Sequence, residues 1–324
     1  MSKLPLTFAC GLYDRVLALH TGEVQVEGVD LNFLVNDRPR DIFDRMAGGL
    51  EFDASEFSSS EFISHFVAKE CPFVAIPVFP SRIFRHGFIF INRKHINKPK
   101  DLEGKRIGVQ VYTMTAAIFM RGLLSDEHGI DFAKCEWVEG AINSARPHGN
   151  PTKLPTAKKL AISANKSGKS LSKMLEDGDL QAIVGVDLPE AFGRNPDIVR
   201  LYPDYRTAEM DYYGRTKIFP IMHTVVIRRN VHEMHPFLAT ALYRAFGQAK
   251  EVALARMKYR STLRYMLPWM HAELDDIDQT FGGDPWPYGV EANRPTLEAL
   301  VRYLEEQGVI AEAPRVDDLF VPVR

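Results

Sequence analysis

Apolar and polar residues alternate in several short stretches of the chain, and stretches of helical period lie between them. The alternation predicts strands at residues 4–8, 29–35 and 107–111, because successive side chains of a strand point to opposite faces. The helical period predicts a short helix at residues 41–47 and a long one at residues 236–257. Since strands and helices alternate along most of the chain, the pattern predicts an α/β fold with largely parallel sheets.

The pattern changes after Asn92, where a second series of strands and helices begins, and a further strand follows the segment FPIMH. A chain of 324 residues is long enough for two domains. Two α/β units place a cleft between them, and small ligands bind preferentially in such clefts. The sequence therefore predicts two units with a ligand site between them.

The composition is that of a globular protein, with 45% hydrophobic and 25% charged residues. A formal net charge of −2 gives no basic patch, so we expect neither nucleic acid nor a membrane as a partner. Cys10, Cys71 and Cys135 form no CxxC pair, which favours a reducing compartment. With no secretory signal and no apolar run of about 18 residues, the sequence predicts a cytoplasmic location.

Three hydroxyl side chains, those of Tyr112, Thr113 and Thr115, lie between a predicted strand and a predicted helix in RIGVQVYTMTAAIFMRG. The first turn of a helix exposes unpaired N–H groups and a partial positive charge, so this turn can hold an anion. The glycines of a phosphate-binding loop are absent. A simpler interpretation, in which Thr113 or Thr115 only caps its own helix, is equally open.

The segment FPSRIFRHG places Arg82, Arg85 and His86 in one turn between two apolar strands. Guanidinium groups bind carboxylates through paired hydrogen bonds, and a neighbouring histidine can transfer a proton near neutral pH. If the turn faces a cleft between domains, these residues form a binding site. If it faces solvent, they are ordinary surface charges, and the sequence leaves both interpretations open.

Further candidates lie beside apolar segments. His223 precedes an apolar strand, where a histidine is commonly a buried residue, and the loop GGDPWPYG either presents Trp286 and Tyr288 as an aromatic wall or packs the C-terminal helices. In EFDASEFSSSEF, Ser58 and Glu61 have the spacing of a capping box. No GxSxG or HExxH motif is present, and scattered histidine and acidic residues leave an assisting metal open.

Taken together, the segments TKIFPIMHTVVIRR, FPSRIFRHG, YTMTAA with its MRG ending and DPWPYGVEANRPTLEAL resemble 4,5-dihydroxyphthalate decarboxylases. The resemblance implies the two-lobed type II periplasmic-binding-protein fold, with each lobe a mostly parallel sheet flanked by helices and the ligand cleft between the lobes. Lobe 1 is then expected to comprise residues 1–94 and 224–324, and lobe 2 residues 95–223. The two crossings are expected near residues 93–98 and 219–224.

The resemblance also implies a carboxy-lyase of phthalate catabolism that converts 4,5-dihydroxyphthalate to protocatechuate and carbon dioxide by protonating a ring carbon. The expected partner is thus a small aromatic dicarboxylate. No cofactor is expected, while a divalent metal and a homo-oligomer are left open. The alternatives are a non-catalytic binding protein for an aromatic or small carboxylic acid, and another enzyme of the same fold that acts on a chorismate-type acid.

On this resemblance, Arg82 and Arg85 are expected to bind carboxylates and His86 to deliver the proton, with His223 as the rival acid or the base for the hydroxyl. The turn at residues 112–115 is expected to bind a carboxylate or phenolate oxygen from the second lobe. The other expected binding residues are Glu56, Ser58, Ser59 and Ser60 in the first lobe, and Trp286 and Tyr288 over the ring.

Overall fold

The computed structural model describes residues 2–69, 71–152 and 155–323. Within these ranges, the strands are β1 (Leu4–Cys10), β2 (Val29–Val35), β3 (Ala54–Ser58), β4 (Phe73–Arg82), β5 (Ile89–Asn92), β6 (Arg106–Val109), β7 (Glu136–Glu139), β8 (Ile162–Ala164), β9 (Ala182–Val184), β10 (Ile198–Arg200) and β11 (Ile221–Arg228). The α-helices are α1 (Asp14–His20), α2 (Pro39–Gly49), α3 (Ser59–Val67), α4 (Thr115–His128), α5 (Leu171–Asp177), α6 (Tyr205–Thr216), α7 (Arg229–Met234), α8 (Phe237–Lys258), α9 (Met270–Phe281) and α10 (Arg294–Glu306).

The strands form two sheets. The first has the order β2-β1-β3-β11-β4 and the second the order β10-β5-β9-β6-β7-β8. Helices α1 to α3 connect the successive strands β1 to β4 of the first sheet, and α4 and α5 connect β6 to β7 and β8 to β9 in the second, so the α/β class predicted from the alternating pattern is confirmed. Among the described residues, no helix is both long enough and apolar enough to cross a membrane.

Both sheets are mixed, where largely parallel sheets were expected. In the first, β1 runs parallel to β2 and β3, whereas β11 runs antiparallel to β3 and β4. In the second, β5 runs antiparallel to β9 and β10. The antiparallel strands are those at which the chain passes between the sheets. They are not joined to their neighbours by a crossover helix, so nothing constrains them to run parallel.

The first passage between the sheets comes earlier than the expected crossing at residues 93–98. Because β5 pairs with β9 and β10, it belongs to the second sheet, and the chain changes sheets at residues 83–88. The return passage, residues 201–220, contains α6. The sequence alone does not assign β4 and β5 to different sheets, because both are apolar runs and pairing with distant strands decides their sheet.

One large apolar cluster runs through both lobes, and it includes Phe57 on β3, Trp137 on β7 and Tyr303 in α10. Helix α10 packs closely on α4 at Gly122, where an added Cβ would lie 2.3 Å from Cδ2 of Tyr303. The two sheets therefore share part of their core. The remaining apolar residues form a smaller cluster on the far side of each sheet.

Candidate active site

The carboxyl ends of β3 and β6 meet where the lobes face each other, and helices α3 and α4 begin there. The Ser60 N–H donates to Oγ1 of Thr115 at 3.0 Å, and Oγ of Ser60 donates to the carbonyl of Thr113 at 2.7 Å. Oγ of Ser58 lies 3.1 Å from the same Thr115 hydroxyl. Ligands of open α/β sheets bind at this edge.

The capping expected at this junction is not formed. Ser58 is the N-cap residue of α3 but its side chain makes no cap hydrogen bond, and Met114 rather than a threonine precedes α4. Glu61, the expected partner of Ser58, instead pairs with Arg40 at 3.1 Å. The hydroxyls of this junction are therefore used to join two helix starts from different lobes.

Glu56 is the most deeply placed charged group of the junction, with no solvent exposure. Its Oε2 accepts hydrogen bonds from the Gly11 N–H at 3.0 Å and from Sγ of Cys10 at 3.3 Å. Its Oε1 accepts from the Tyr13 hydroxyl at 2.8 Å and lies 2.5 Å from Nδ1 of His223. A buried carboxylate needs such partners, because an isolated buried charge is strongly unfavourable.

His223 reaches Glu56 because of strand register. On the antiparallel pair of β11 and β3, His223 lies opposite Ser58 and Val225 lies opposite Glu56. Glu56 is therefore the diagonal neighbour of His223 on the same face of the sheet. The imidazole also packs edge-to-face on Phe43, with ring centroids 4.9 Å apart, and its side chain retains 17% exposure.

The electrostatics of this pair follow from burial and charge. Burial alone would raise the pKa of the Glu56 carboxyl, but the charge and hydrogen bond of His223, with the hydrogen bonds from Gly11 and Tyr13, outweigh it and hold this pKa below its ordinary value. Burial, followed by the charge of Glu56, raises the pKa values of Cys10 and Tyr13. Glu56 is thus ionised and can only accept, so Nδ1 of His223 carries a proton and Nε2 is available for proton exchange.

The two arginines of FPSRIFRHG occupy different environments. Arg82 donates to Oδ1 of Asn293 at 2.7 Å and to the carbonyl of Phe219 at 2.9 Å, so it ties three parts of the chain together. Arg85 stacks over Phe88 at 5.0 Å, and its guanidinium has no hydrogen bond to the described residues. Burial lowers the pKa of each arginine to about 10. Of the two, Arg85 is therefore the one that makes no hydrogen bond to the described residues, although the charges of Asp187 and Glu209 act on it.

His86 lies in a different place from that expected of a proton donor. Its ring is fully buried, and neither ring nitrogen has a hydrogen-bond partner among the described residues. The ring packs edge-to-face on Tyr202 and Tyr212, and Nδ1 lies 3.7 Å from Oε1 of Glu209. Because the ring is sealed by α6 and its neighbours, His86 cannot touch a ligand in this conformation.

The aromatic loop is a wall of the first lobe. Nε1 of Trp286 donates to the carbonyl of Phe79 at 2.8 Å, and Arg15 lies 4.2 Å over the indole. The same guanidinium lies 4.3 Å over Tyr13, the hydrogen-bond partner of Glu56. Tyr288 lies deeper, with Lys250 over its ring and a sealed hydroxyl that has no partner among the described residues.

Several residues of the junction were not found from the sequence. Cys10 ends β1, Gly11 and Tyr13 follow it, and Gln110 and Asp187 follow β6 and β9. The Gln110 amide donates to Oδ2 of Asp187 at 2.9 Å. The available signal was position, because side chains directly after parallel strands lie at the ligand-binding edge. No motif marked them.

A cavity of 590 Å³ opens beside the junction. Ser58, Tyr112 and Thr113 line it, and it continues along α3 to residues 309–311. Arg40, Glu61 and Glu139 also line it. Arg40 is paired with Glu61, and Glu139 accepts the Tyr112 N–H at 2.6 Å. Two carboxylates and one guanidinium leave the charged lining acidic, which disfavours an anion in this cavity, and neither His223 nor Arg85 lines it.

The described residues contain no group of three or more histidine, cysteine, aspartate or glutamate side chains arranged to hold a metal ion. The site as described is thus made of an ionised Glu56 bonded to His223, a network of hydroxyls and a buried arginine. Ser59 begins α3 between two residues of this network, but its own hydroxyl is buried without a partner among the described residues and takes no part in it.

The two sheets and the junction between them define a two-lobed α/β protein with the type II periplasmic-binding-protein fold. The aliphatic sulphonate binding protein SsuA from Escherichia coli matches it with a TM-score of 0.53 at 10% identity, over 99% of this chain and 92% of that one. A sulfonate-binding SsuA from Methylobacillus flagellatus matches with a TM-score of 0.50 at 12% identity, over 99% and 92%. Identities this low show the fold alone.

Sequence comparison gives the family. The NMT1/THI5-like family model matches residues 53–149. A 4,5-dihydroxyphthalate decarboxylase of Comamonas testosteroni is 35% identical over 325 residues, covering 99% of this chain and 98% of that protein. One of Pseudomonas putida is 38% identical over 216 residues, covering 66% and 83%. The chain therefore belongs to the 4,5-dihydroxyphthalate decarboxylase family and is a carboxy-lyase, as the sequence resemblance implied.

Proposed function

We propose that this enzyme converts 4,5-dihydroxyphthalate to protocatechuate and carbon dioxide at the junction between the lobes, with His223 as the acid. The observation that carries the proposal is the buried, ionised Glu56 bonded to Nδ1 of a partly exposed His223. Such a carboxylate orients the imidazole and stabilises its protonated form. The names of the two curated relatives supply the substrate.

The chemistry requires one proton and no external electrons. Protonated His223 gives its Nε2 proton to the ring carbon that carries a carboxylate, while the para hydroxyl supplies electron density and passes its proton to solvent water. The bond to the carboxylate then breaks, carbon dioxide leaves, and the electron pair restores the aromatic ring as the hydroxyl regains its proton. General acid catalysis of this kind contributes about 10²–10⁴-fold to a rate.

The second carboxylate needs a cation, and Arg85 is our candidate. It lies in the first passage between the lobes, is 8% exposed, and makes no hydrogen bond to the described residues. Asp187 and Glu209 act on this guanidinium only through their charge, and a ligand carboxylate would supply the two charge-assisted hydrogen bonds that it lacks. Holding the ring in this way orients the reacting carbon toward the acid.

The other expected residues shape the site or lie outside it. Tyr13 and the hydroxyl network at residues 58–60 and 113–115 hold the junction, and Trp286 bounds it through Arg15. Arg82 and His86 are left out, because the first has internal partners and the second is sealed. We place the reaction in the cytoplasm, in keeping with the three cysteines, which are all unpaired and buried.

The test is turnover by the chelator-treated protein. 4,5-Dihydroxyphthalate is added, and carbon dioxide release is followed together with the ultraviolet spectrum of protocatechuate. We expect both products in equal amounts, strong loss of activity in His223→Gln, and wild-type activity in His95→Gln, whose side chain is exposed. A rise in melting temperature without products, with or without added metal ions, would favour a binding protein. If products form only from a chorismate-type acid, that acid rather than 4,5-dihydroxyphthalate is the substrate.

A further inference from the structure

The loop between β7 and β8 reaches across to the first lobe. The Asn150 N–H donates to Oδ2 of Asp44 in α2 at 2.8 Å. Gly149 lies against Arg40 of the same helix with φ +68°, so closely that an added Cβ would lie 2.5 Å from Cγ of Arg40. Because this chain segment starts from the second sheet, the residue just before the contact, His148, lies in the gap between the lobes.

Gln110 holds the ring of His148 from the other side. Oε1 of Gln110 accepts the Val186 N–H at 2.7 Å, and because a backbone N–H can only donate, this contact fixes which end of the amide is oxygen. The amide nitrogen therefore donates to Oδ2 of Asp187 at 2.9 Å and faces Nδ1 of His148 at 3.1 Å. The Gln110 amide thus has a single orientation.

This orientation determines where the proton of His148 lies. A donor faces Nδ1, so Nδ1 accepts and the proton is on Nε2, which makes the ring a neutral hydrogen-bond donor. Burial, with a smaller contribution from Arg40, lowers the pKa of His148, against the opposing charges of Asp187 and Asp44. Nε2 has no hydrogen-bond partner in the part of the chain that the structure describes.

The same carboxylate, Asp187, acts on the two groups that we assign to the ligand. It is hydrogen-bonded to Gln110 beside His148, and its charge favours the ionised form of Arg85. Arg85 and His148 are therefore placed around one acidic residue at the carboxyl end of the second sheet. A ligand carboxylate bound by Arg85 brings its ring within this group, where a neutral donor suits an uncharged or developing oxygen rather than a carboxylate.

We propose that His148 is a specificity-determining residue whose Nε2–H donates to a ring hydroxyl oxygen of the substrate, with Gln110 and Asp187 as its positioning residues. The inference rests on the proposed function for the identity of the acid. A site that donates to a hydroxyl discriminates against the analogue that lacks it, because the donor is then left unpaired. The structure thus offers a reason for preferring a hydroxylated phthalate over phthalate itself.

The experiment measures dissociation constants of 4,5-dihydroxyphthalate and phthalate by calorimetry, with His223→Gln as the background so that the first ligand is not consumed. In this background we compare His148→Leu, which has no donor, with His148→Gln, whose amide places a donor near the position of Nε2. Arg146→Gln, an exposed residue of the same loop, is the matched control. Melting temperatures check that each variant is folded.

We expect His148→Leu to weaken 4,5-dihydroxyphthalate about tenfold and phthalate hardly at all, with most of the loss recovered in His148→Gln. Equal weakening of both acids would mean a contact with the carboxylate and would overturn the proposal, as would unchanged binding of both. If the wild-type protein releases no carbon dioxide, the proposed function is contradicted, not the role of His148. The differential binding of the two acids would still decide the role of His148.

Discussion

Nδ1 of His223 lies 2.5 Å from Oε1 of Glu56, although 167 residues separate the two in sequence. The contact is made because β11 returns from the second sheet and inserts beside β3. Both strands are central in their sheet, so the relative position of the two side chains is fixed by backbone hydrogen bonds on both sides. A rigidly held carboxylate–imidazole pair can direct a proton to one place.

Replacing Glu56 by glutamine tests this pair. Glutamine keeps the shape of the side chain and an oxygen that can accept from Nδ1 but removes the charge, so the carboxylate no longer stabilises the protonated imidazole during proton transfer. We expect kcat to fall about 10²–10⁴-fold with little change in KM, since the loss concerns the proton-transfer step. Steady-state kinetics with 4,5-dihydroxyphthalate would measure this.

The double variant with His223→Gln provides the control for Glu56→Gln. If Glu56 acts only through His223, removing both residues should cost little more than removing His223 alone. Additive losses would contradict the pair and would give Glu56 an independent role.

The lowered pKa of Glu56 predicts how the free energy of unfolding depends on pH. Its ordinary value is 4.5 and the folded value lies below it, so the ionised side chain stabilises the folded protein fully above pH 4.5. This contribution is lost as the pH falls through the folded pKa. We expect the difference in free energy of unfolding between wild type and Glu56→Gln to be constant from about pH 7 to pH 5 and to shrink below pH 4.5.

Urea unfolding at a series of pH values would measure this difference. A difference that stays constant to the most acid conditions in which the protein folds, or that grows there, would contradict an ionised Glu56 with a lowered pKa.

Local signals predicted elements well. Helix α8 spans Phe237–Lys258, within one residue at each end of the long helix expected from residues 236–257, and α10 has the common end signals, with Pro295 in its first turn and Gly308, at φ +70°, just after its end. These features depend on backbone preferences of a few residues, which are visible in sequence. The family was also predicted, because several of its segments are long and distinctive.

The roles of individual site residues depended on distant contacts. Arg82 and Arg85 lie three positions apart in one turn, yet Asn293, 211 residues away, occupies one and leaves the other unpaired. His86 and His223 both border apolar strands, but only tertiary packing seals the first and pairs the second. A carboxylate inside the buried strand β3 was a usable signal for Glu56, because such a group requires partners.

The glycine at the α4–α10 contact should be intolerant of a side chain. An added methyl group at Gly122 would overlap the ring of Tyr303, so Gly122→Ala should destabilise the fold by about 1–3 kcal/mol. Gly247→Ala is the matched control, since Gly247 lies in α8 with no atom within 4 Å of the added carbon. That control should gain about 0.5–1 kcal/mol from helix propensity.

Chemical unfolding of the two alanine variants gives the comparison. Equal free energies of unfolding for Gly122→Ala and wild type would mean that the two helices separate at no cost, and would contradict the close packing.

The matched substitutions Arg82→Met and Arg85→Met distinguish a structural role of Arg82 from a ligand-binding role of Arg85. Methionine keeps the apolar stem and removes the guanidinium. Arg82→Met leaves the Asn293 oxygen and the Phe219 carbonyl without their donor, so it should lower the free energy of unfolding by about 3 kcal/mol.

Arg85→Met removes a buried charge that has no hydrogen bond to the described residues, so it should leave stability unchanged or raise it. Because the ligand carboxylate would then lose its cation, KM should rise about 10–100-fold. Unfolding curves and steady-state kinetics on both variants decide the matter. The assignment is overturned if Arg85→Met unfolds more easily at unchanged KM, because Arg85 would then be a structural residue like Arg82.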